Sequence, residues 1–173
     1  MIVLRVCPMK RPSPSRANSS MQLTRAADYA VRVMVHLATL PPHQRALLPS
    51  LARATGAPES FLSKVLQTLA RARFIASRRG QSGGFEILPR GRQASMRNVI
   101  EVIDGPIHLN VCVVSPRSCP RSKWCPAHPV WERAQQAMLA VLSEATVANL
   151  AAQPMAVSRP AAAVVPLAML SSA

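Results

Sequence analysis

The sequence predicts a mainly α-helical chain with a small β-hairpin wing: a winged helix-turn-helix domain followed by a long C-terminal dimerisation helix. Three observations predict it. Apolar residues recur at helical spacing from Met21 onward. Two of the helical segments are joined by a short Gly-containing turn, as in a helix-turn-helix. A Gly-rich run then separates two short β-prone segments, which reads as a hairpin.

The first helix runs through Ala27, Tyr29, Ala30, Val33, Met34 and Leu37, with Thr24 as its cap and Pro41-Pro42 as its stop. The second lies in LLPSLARATG, with Ser50 as a plausible N-cap and Gly56 as a sharp end. The third begins with Pro58 in its first turn and turns Phe61, Leu62, Val65, Leu66 and Leu69 toward the core. That leaves Ser60, Ser63, Lys64 and Gln67 outward, the position of a helix that reads DNA. FIASRRG and GGFEIL are the wing strands around Gly80-Gln81-Ser82-Gly83-Gly84. MRNVIEVIDG adds a short helix packing through Val99, Ile100 and Ile103. The last long element, PVWERAQQAMLAVLSEATVANLAAQ, carries Trp131, Ala134, Met138, Val141, Leu142 and Ala145 on one face. Its outer side holds few charges, so a second copy of the helix is expected against it in a homodimer.

Charge narrows the function. The 173 residues hold 21 Lys+Arg against 7 Asp+Glu, a formal net charge of +14. All seven acids lie between residues 21 and 153, where 16 bases outnumber them by nine, so the tails are not the source of the excess. Ten of those bases and only two acids fall between residues 45 and 97, the reader and wing region. Phosphate contacts need this charge there. Lys64 with Ser60 and Ser63 is placed for base edges or phosphates, and Arg78 and Arg79 for a groove beside the wing. The partner expected is a double-stranded DNA operator. There are no paired carboxylates, Ser/His/Asp set, phosphate-binding Gly loop or cofactor fingerprint, so neither an enzyme nor a small-molecule substrate is expected. Neither end reads as an export signal or a membrane anchor: the start turns basic and Pro/Ser-rich, and the end is broken by Pro154, Pro160 and Pro166. A cytoplasmic location follows as an expectation, with Met21 a candidate start.

Cys112, Cys119 and Cys125 form C-x6-C-x5-C on a segment that Pro116, Pro120 and Pro126 keep from being helical. In a reducing compartment such cysteines are more often metal ligands or redox sensors than disulfides. Arg117, Arg121 and Lys123 favour thiolates and offset the charge of a thiolate-bound centre. Three thiols are one short of the usual four for an iron–sulfur cluster, and the candidates for the fourth ligand are His128 and Asp28. A Cys3His zinc site, or free thiols acting as a switch, fits the same spacing.

Taken together, MQLTRAADYAVR at 21–32, LARATGAPESFLSKVLQTLARARFI at 51–75, SRRGQSGGF at 77–85, the three cysteines, HPVW at 128–131 and TVANL at 146–150 resemble the Rrf2 family of bacterial winged-helix regulators. The resemblance implies a homodimer with crossed C-terminal helices and a cluster on Cys112, Cys119 and Cys125 whose state sets DNA affinity, most often in a repressor. In the cluster-assembly branch a 2Fe–2S cluster takes a His three residues after the last Cys, which falls on His128. In the nitric-oxide-sensing branch a 4Fe–4S cluster takes an Asp from the first helix of the other subunit, which falls on Asp28. The family's reader contacts fall on Ser60, Ser63 and Lys64, and its wing arginine on Arg79. The expected organisation is a disordered leader at 1–20, the DNA-binding domain at 21–105, a cluster-binding loop at 106–129, a dimerisation helix at 130–153 and a disordered tail at 154–173.

Overall fold

A computed structural model describes residues 23–80, 83–115 and 117–153. The leader at 1–20, the candidate start Met21, Gln81-Ser82 of the wing turn and the tail at 154–173 lie outside the described residues.

Helix α1 (Arg25–Thr39) starts where expected, the Thr24 side chain accepting from the backbone N–H of Ala27. The Thr24 hydroxyl also donates to Asp104 at 2.6 Å, which ties the start of α1 to the far end of a later helix. The α1 stripe Ala27, Ala30, Val33, Met34 and Leu37 is fully buried and forms the centre of the fold. Helix α2 (Leu48–Thr55) begins before Ser50, which corrects the expected cap. Its N-cap is Leu47, with no side-chain cap, and Pro49 in the first turn supplies a helical φ instead. Gly56 ends α2 at φ 70°, a left-handed conformation that favours glycine and lets the chain turn sharply into the next helix.

Helix α3 (Glu59–Arg71) begins one residue later than expected, because Pro58 is its N-cap rather than part of its first turn. Leu62, Val65, Leu66 and Leu69 are buried as expected. Phe61 departs from that stripe: it is 39% exposed. Its ring meets Tyr29 edge to face at 5.8 Å, so it covers the rim of the core.

Strands β1 (Ile75–Arg78) and β2 (Gly84–Ile87) pair antiparallel with Ile75 opposite Ile87 and Arg78 opposite Gly84. Ala46, before α2, exchanges two backbone hydrogen bonds with Phe85 at 3.0 and 2.9 Å, so the wing is anchored to the α1–α2 connection. Gly84 is required there, since a Cβ would lie 2.8 Å from the Ala46 carbonyl oxygen.

Two short elements have no counterpart in the sequence reading. Helix α4 (Pro89–Gln93) carries Arg92, which donates to the carbonyls of Ala38 and Leu40 at 2.9 and 3.1 Å and closes the end of α1. After it, α5 (Met96–Asp104) is held by a capping box between Ser95 and Asn98 and buries Val99 and Ile100 against the core.

The final segment is divided, which corrects the single long element expected. Helix α6 (His128–Glu144) stops at Ala145, whose backbone is extended, and Thr146 caps a separate α7 (Val147–Ala152). The break carries α7 back onto the first domain. Met96 N–H donates to the Ala145 carbonyl at 2.7 Å, Val147 N–H to the Ala94 carbonyl at 2.9 Å, and the Val147 side chain is buried in the core.

Candidate nucleic-acid interface and metal centre

Helix α3 is fixed by its buried face, and that fixes what it presents outward. Ser60, Lys64 and Gln67 are exposed and Ser63 is half-buried, so Ser60, Ser63 and Lys64 form one outer stripe at i, i+3 and i+4. Arg78 closes β1 and Arg79 follows it, both exposed. Among the described residues none of Lys64, Arg78 and Arg79 is held in an ion pair. Their charge is thus open to a polyanion, as phosphate binding requires.

The cysteine segment is built differently. Cys112 sits in a single 3-10 turn (Val111–Val113) capped by Asn110. Cys119 and Cys125 lie in successive turns. Arg121 O accepts from Cys125 N–H at 2.8 Å, and Cys125 O accepts from His128 N–H at 3.1 Å, which leads the chain directly into α6. All three thiols are free and half-buried. An open cavity of about 480 Å³ lies between this segment and α6, its lining including Cys112, Lys123, His128, Glu132 and Gln135.

The structure brings Cys112 and His128 to one cavity, while Cys119 and Cys125 are not among its lining residues. Among the described residues no three His, Cys, Asp or Glu side chains are gathered closely enough to hold a metal ion. Asp28 stands on α1 in an exposed ion pair with Arg32 at 2.8 Å. Cys7 lies outside the described residues.

Two features of His128 fit a metal ligand. Its Nε2 lies 3.3 Å from Glu132 Oε1, one turn along α6. Its Nδ1 is buried and has no hydrogen-bond partner. A buried orphan nitrogen on a ring that is already anchored at its other nitrogen is what a ligating histidine offers. With three thiols on the adjacent turns, the donor set fits an iron–sulfur centre in kind.

Sequence reasoning missed Glu132 and Gln135. The i+4 spacing from His128 was a usable signal for Glu132. Gln135 is the sole buried residue of α6. Its Oε1 accepts from Leu109 N–H at 2.8 Å and its Nε2 donates to the Ile107 carbonyl at 2.6 Å, clamping the chain just before Cys112 to the helix. An internal Gln in an apolar helix carried no sign of a backbone partner 26 residues upstream.

A buried three-helix core, a reader helix and a two-stranded wing define a winged-helix DNA-binding regulator. The Rrf2 family model, described as an iron-dependent transcriptional regulator, matches residues 23–153, and the chain belongs to this family of transcriptional regulators. It is 36% identical over 132 residues to Rv1287 of Mycobacterium tuberculosis, which is named as an HTH-type transcriptional regulator; the match covers 76% of this chain and 81% of that one. Protein aau3 of Rhizobium meliloti is 29% identical over 131 residues, covering 75% and 84%. In fold it is similar to CymR, the global cysteine regulator of B. subtilis, at a TM-score of 0.63 and 24% identity over 75% of this chain and 95% of that one. It is also similar to T. potens IscR, at 0.59 and 22% over 75% and 85%. These relatives imply a DNA-binding role and not a catalytic one. Among the described residues no helix is long and apolar enough to cross a membrane.

Proposed function

We propose that the chain is a cytoplasmic, homodimeric repressor whose operator affinity is set by an iron–sulfur cluster bound by Cys112, Cys119, Cys125 and His128. The observation that carries this reading is the buried, unpartnered Nδ1 of His128 beside a cavity that Cys112 also lines. The family's iron-dependent description supports it. Asp28, the rival fourth ligand, is engaged by Arg32, which favours His128 and a 2Fe–2S centre over the 4Fe–4S type. When bound, the cluster supplies a redox- and ligand-sensitive group at this position.

The chain's own residues supply the rest. Arg117, Arg121 and Lys123 favour thiolates. Ser60, Ser63 and Lys64 reach base edges or phosphates, and Arg78 and Arg79 reach the backbone or a groove beside the wing. The cysteine segment lies between the DNA-binding part and α6, so its order can bias the spacing of two reader helices.

Anaerobic purification with an absorption spectrum and iron, sulfide and zinc analysis tests this. The expected result is a coloured protein with matched iron and sulfide, lost when all three cysteines become Ala while the dimer persists. The uncollected Cys119 and Cys125 favour a second reading, a structural zinc or a thiol switch without a cluster. Colourless protein after reconstitution, with stoichiometric zinc or no metal, moves the assignment there.

A further inference from the structure

The cluster reading leaves open which nitrogen of His128 meets iron. We infer that Nδ1 is the ligating atom and that Glu132 is the positioning residue that keeps it so. A neutral imidazole has one N–H and one lone pair, and which nitrogen holds the proton is decided by its neighbours. A carboxylate accepts and does not donate, so the nitrogen facing Glu132 Oε1 at 3.3 Å carries the proton, and Nε2–H donates to it. The lone pair is then on Nδ1, the nitrogen that is buried and has no partner.

The exposures agree with this division. The Glu132 side chain is 54% exposed and that of His128 18%, so the carboxylate stands toward solvent and the ring's other edge is turned inward. Both residues line the cavity that holds Cys112. The pair is local, four residues apart on α6, and needs only the helix to form. Among the described residues Glu132 has no other ion pair. A carboxylate on the far nitrogen of a ligating histidine fixes its tautomer and ring orientation and raises its basicity. His108 also has a buried, unpartnered Nδ1, yet it is not among the residues lining this cavity, so His128 is preferred.

This inference rests on the cluster reading, and the test separates the two. The full-length protein is reconstituted anaerobically with ferrous iron and sulfide, and its iron and sulfide are measured. No cluster overturns the proposed function and the inference with it. Cluster-loaded protein is then reduced with dithionite and studied by pulsed electron paramagnetic resonance, with histidine 15N-labelled at Nδ1 alone or Nε2 alone. The expected result is strong 15N coupling from the Nδ1 label that disappears in His128→Ala. Strong coupling from the Nε2 label, or coupling that survives in His128→Ala, overturns the inference alone. Two variants test Glu132 itself. Glu132→Gln keeps an acceptor for Nε2–H and is expected to hold iron within a few-fold of the parent, whereas Glu132→Leu is expected to hold it about 10- to 100-fold more weakly. Equal iron retention in both variants overturns the positioning role.

Discussion

Helices α3 and α6 are built on opposite terms. Leu62, Leu66 and Leu69 of α3 are all at 0% exposure, locked among α1, α2 and β1. The longer α6 buries only Gln135, while Val130 and Val141 stand at 63% and 66% exposure and Trp131 at 37%. Most helix stability in a folded chain comes from burying an apolar face, so α3 is complete within one chain and α6 is not. The difference teaches where the molecule is finished and where it waits for something else. The DNA-binding domain is a self-sufficient platform. The cysteine segment and α6 are held by a few polar contacts, which suits a region whose arrangement is to depend on a bound group and, as proposed, on a second copy.

The comparison is broken most forcefully in the core. Leu66→Ala removes a fully buried side chain from α3 and is expected to cost about 2–5 kcal/mol in a urea melt. Val141→Ala on α6 is expected to cost less than about 0.5 kcal/mol at dilutions that favour the monomer. At higher protein concentration its Tm should fall behind the parent's, because only there is Val141 covered. Equal costs at low concentration for the two variants would mean that α6 is packed within its own chain after all.

An intermediate effect is expected at the clamp. Gln135→Leu leaves the Leu109 N–H and the Ile107 carbonyl without their partner, and each buried unmade bond costs about 1–3 kcal/mol. The cost should be local. Hydrogen exchange ought to accelerate at Leu109 and through Val111–Val113, with α1 and α3 little changed. Uniform acceleration across the chain would show that Gln135 supports the whole fold and not the cysteine segment alone.

These two regions were also unequally legible in the sequence. The α1 and α3 stripes follow helical periodicity because those helices bury one face in their own chain, and Thr24 and Gly56 punctuate them as short-range chemistry dictates. The misplaced starts of α2 and α3 both turn on proline. Pro49 opens α2 without a capping hydroxyl, and Pro58 stands just outside α3. The break at Ala145 was hidden because Thr146 caps α7 from inside a run of good helix formers, and only backbone bonds to Ala94 and Met96 hold the turn. The reader and wing residues were visible as a charge cluster. The three cysteines and His128 were visible as residue types, yet their surroundings depend on contacts far apart in the chain, such as Gln135 with Leu109. Arg92 at the end of α1 is another such contact, since its carbonyl partners carry no sequence signal of their own.

The smallest expected effect is at Asp28. Its pair with Arg32 is an exposed i,i+4 contact, both side chains about half in solvent, and such pairs are worth about 0–1 kcal/mol. Asp28→Ala should therefore leave the melting curve close to the parent's. If His128 supplies the fourth ligand, it should also leave the absorption spectrum and the iron and sulfide content unchanged, while His128→Ala bleaches the protein. The opposite outcome, cluster loss in Asp28→Ala with His128→Ala unaffected, would mean that the Arg32 pair opens when the cluster binds and that the centre is completed from the DNA-binding domain. The sensing region would then draw its last ligand from the rigid platform, and the separation between a finished half and a waiting half would end at the cluster itself.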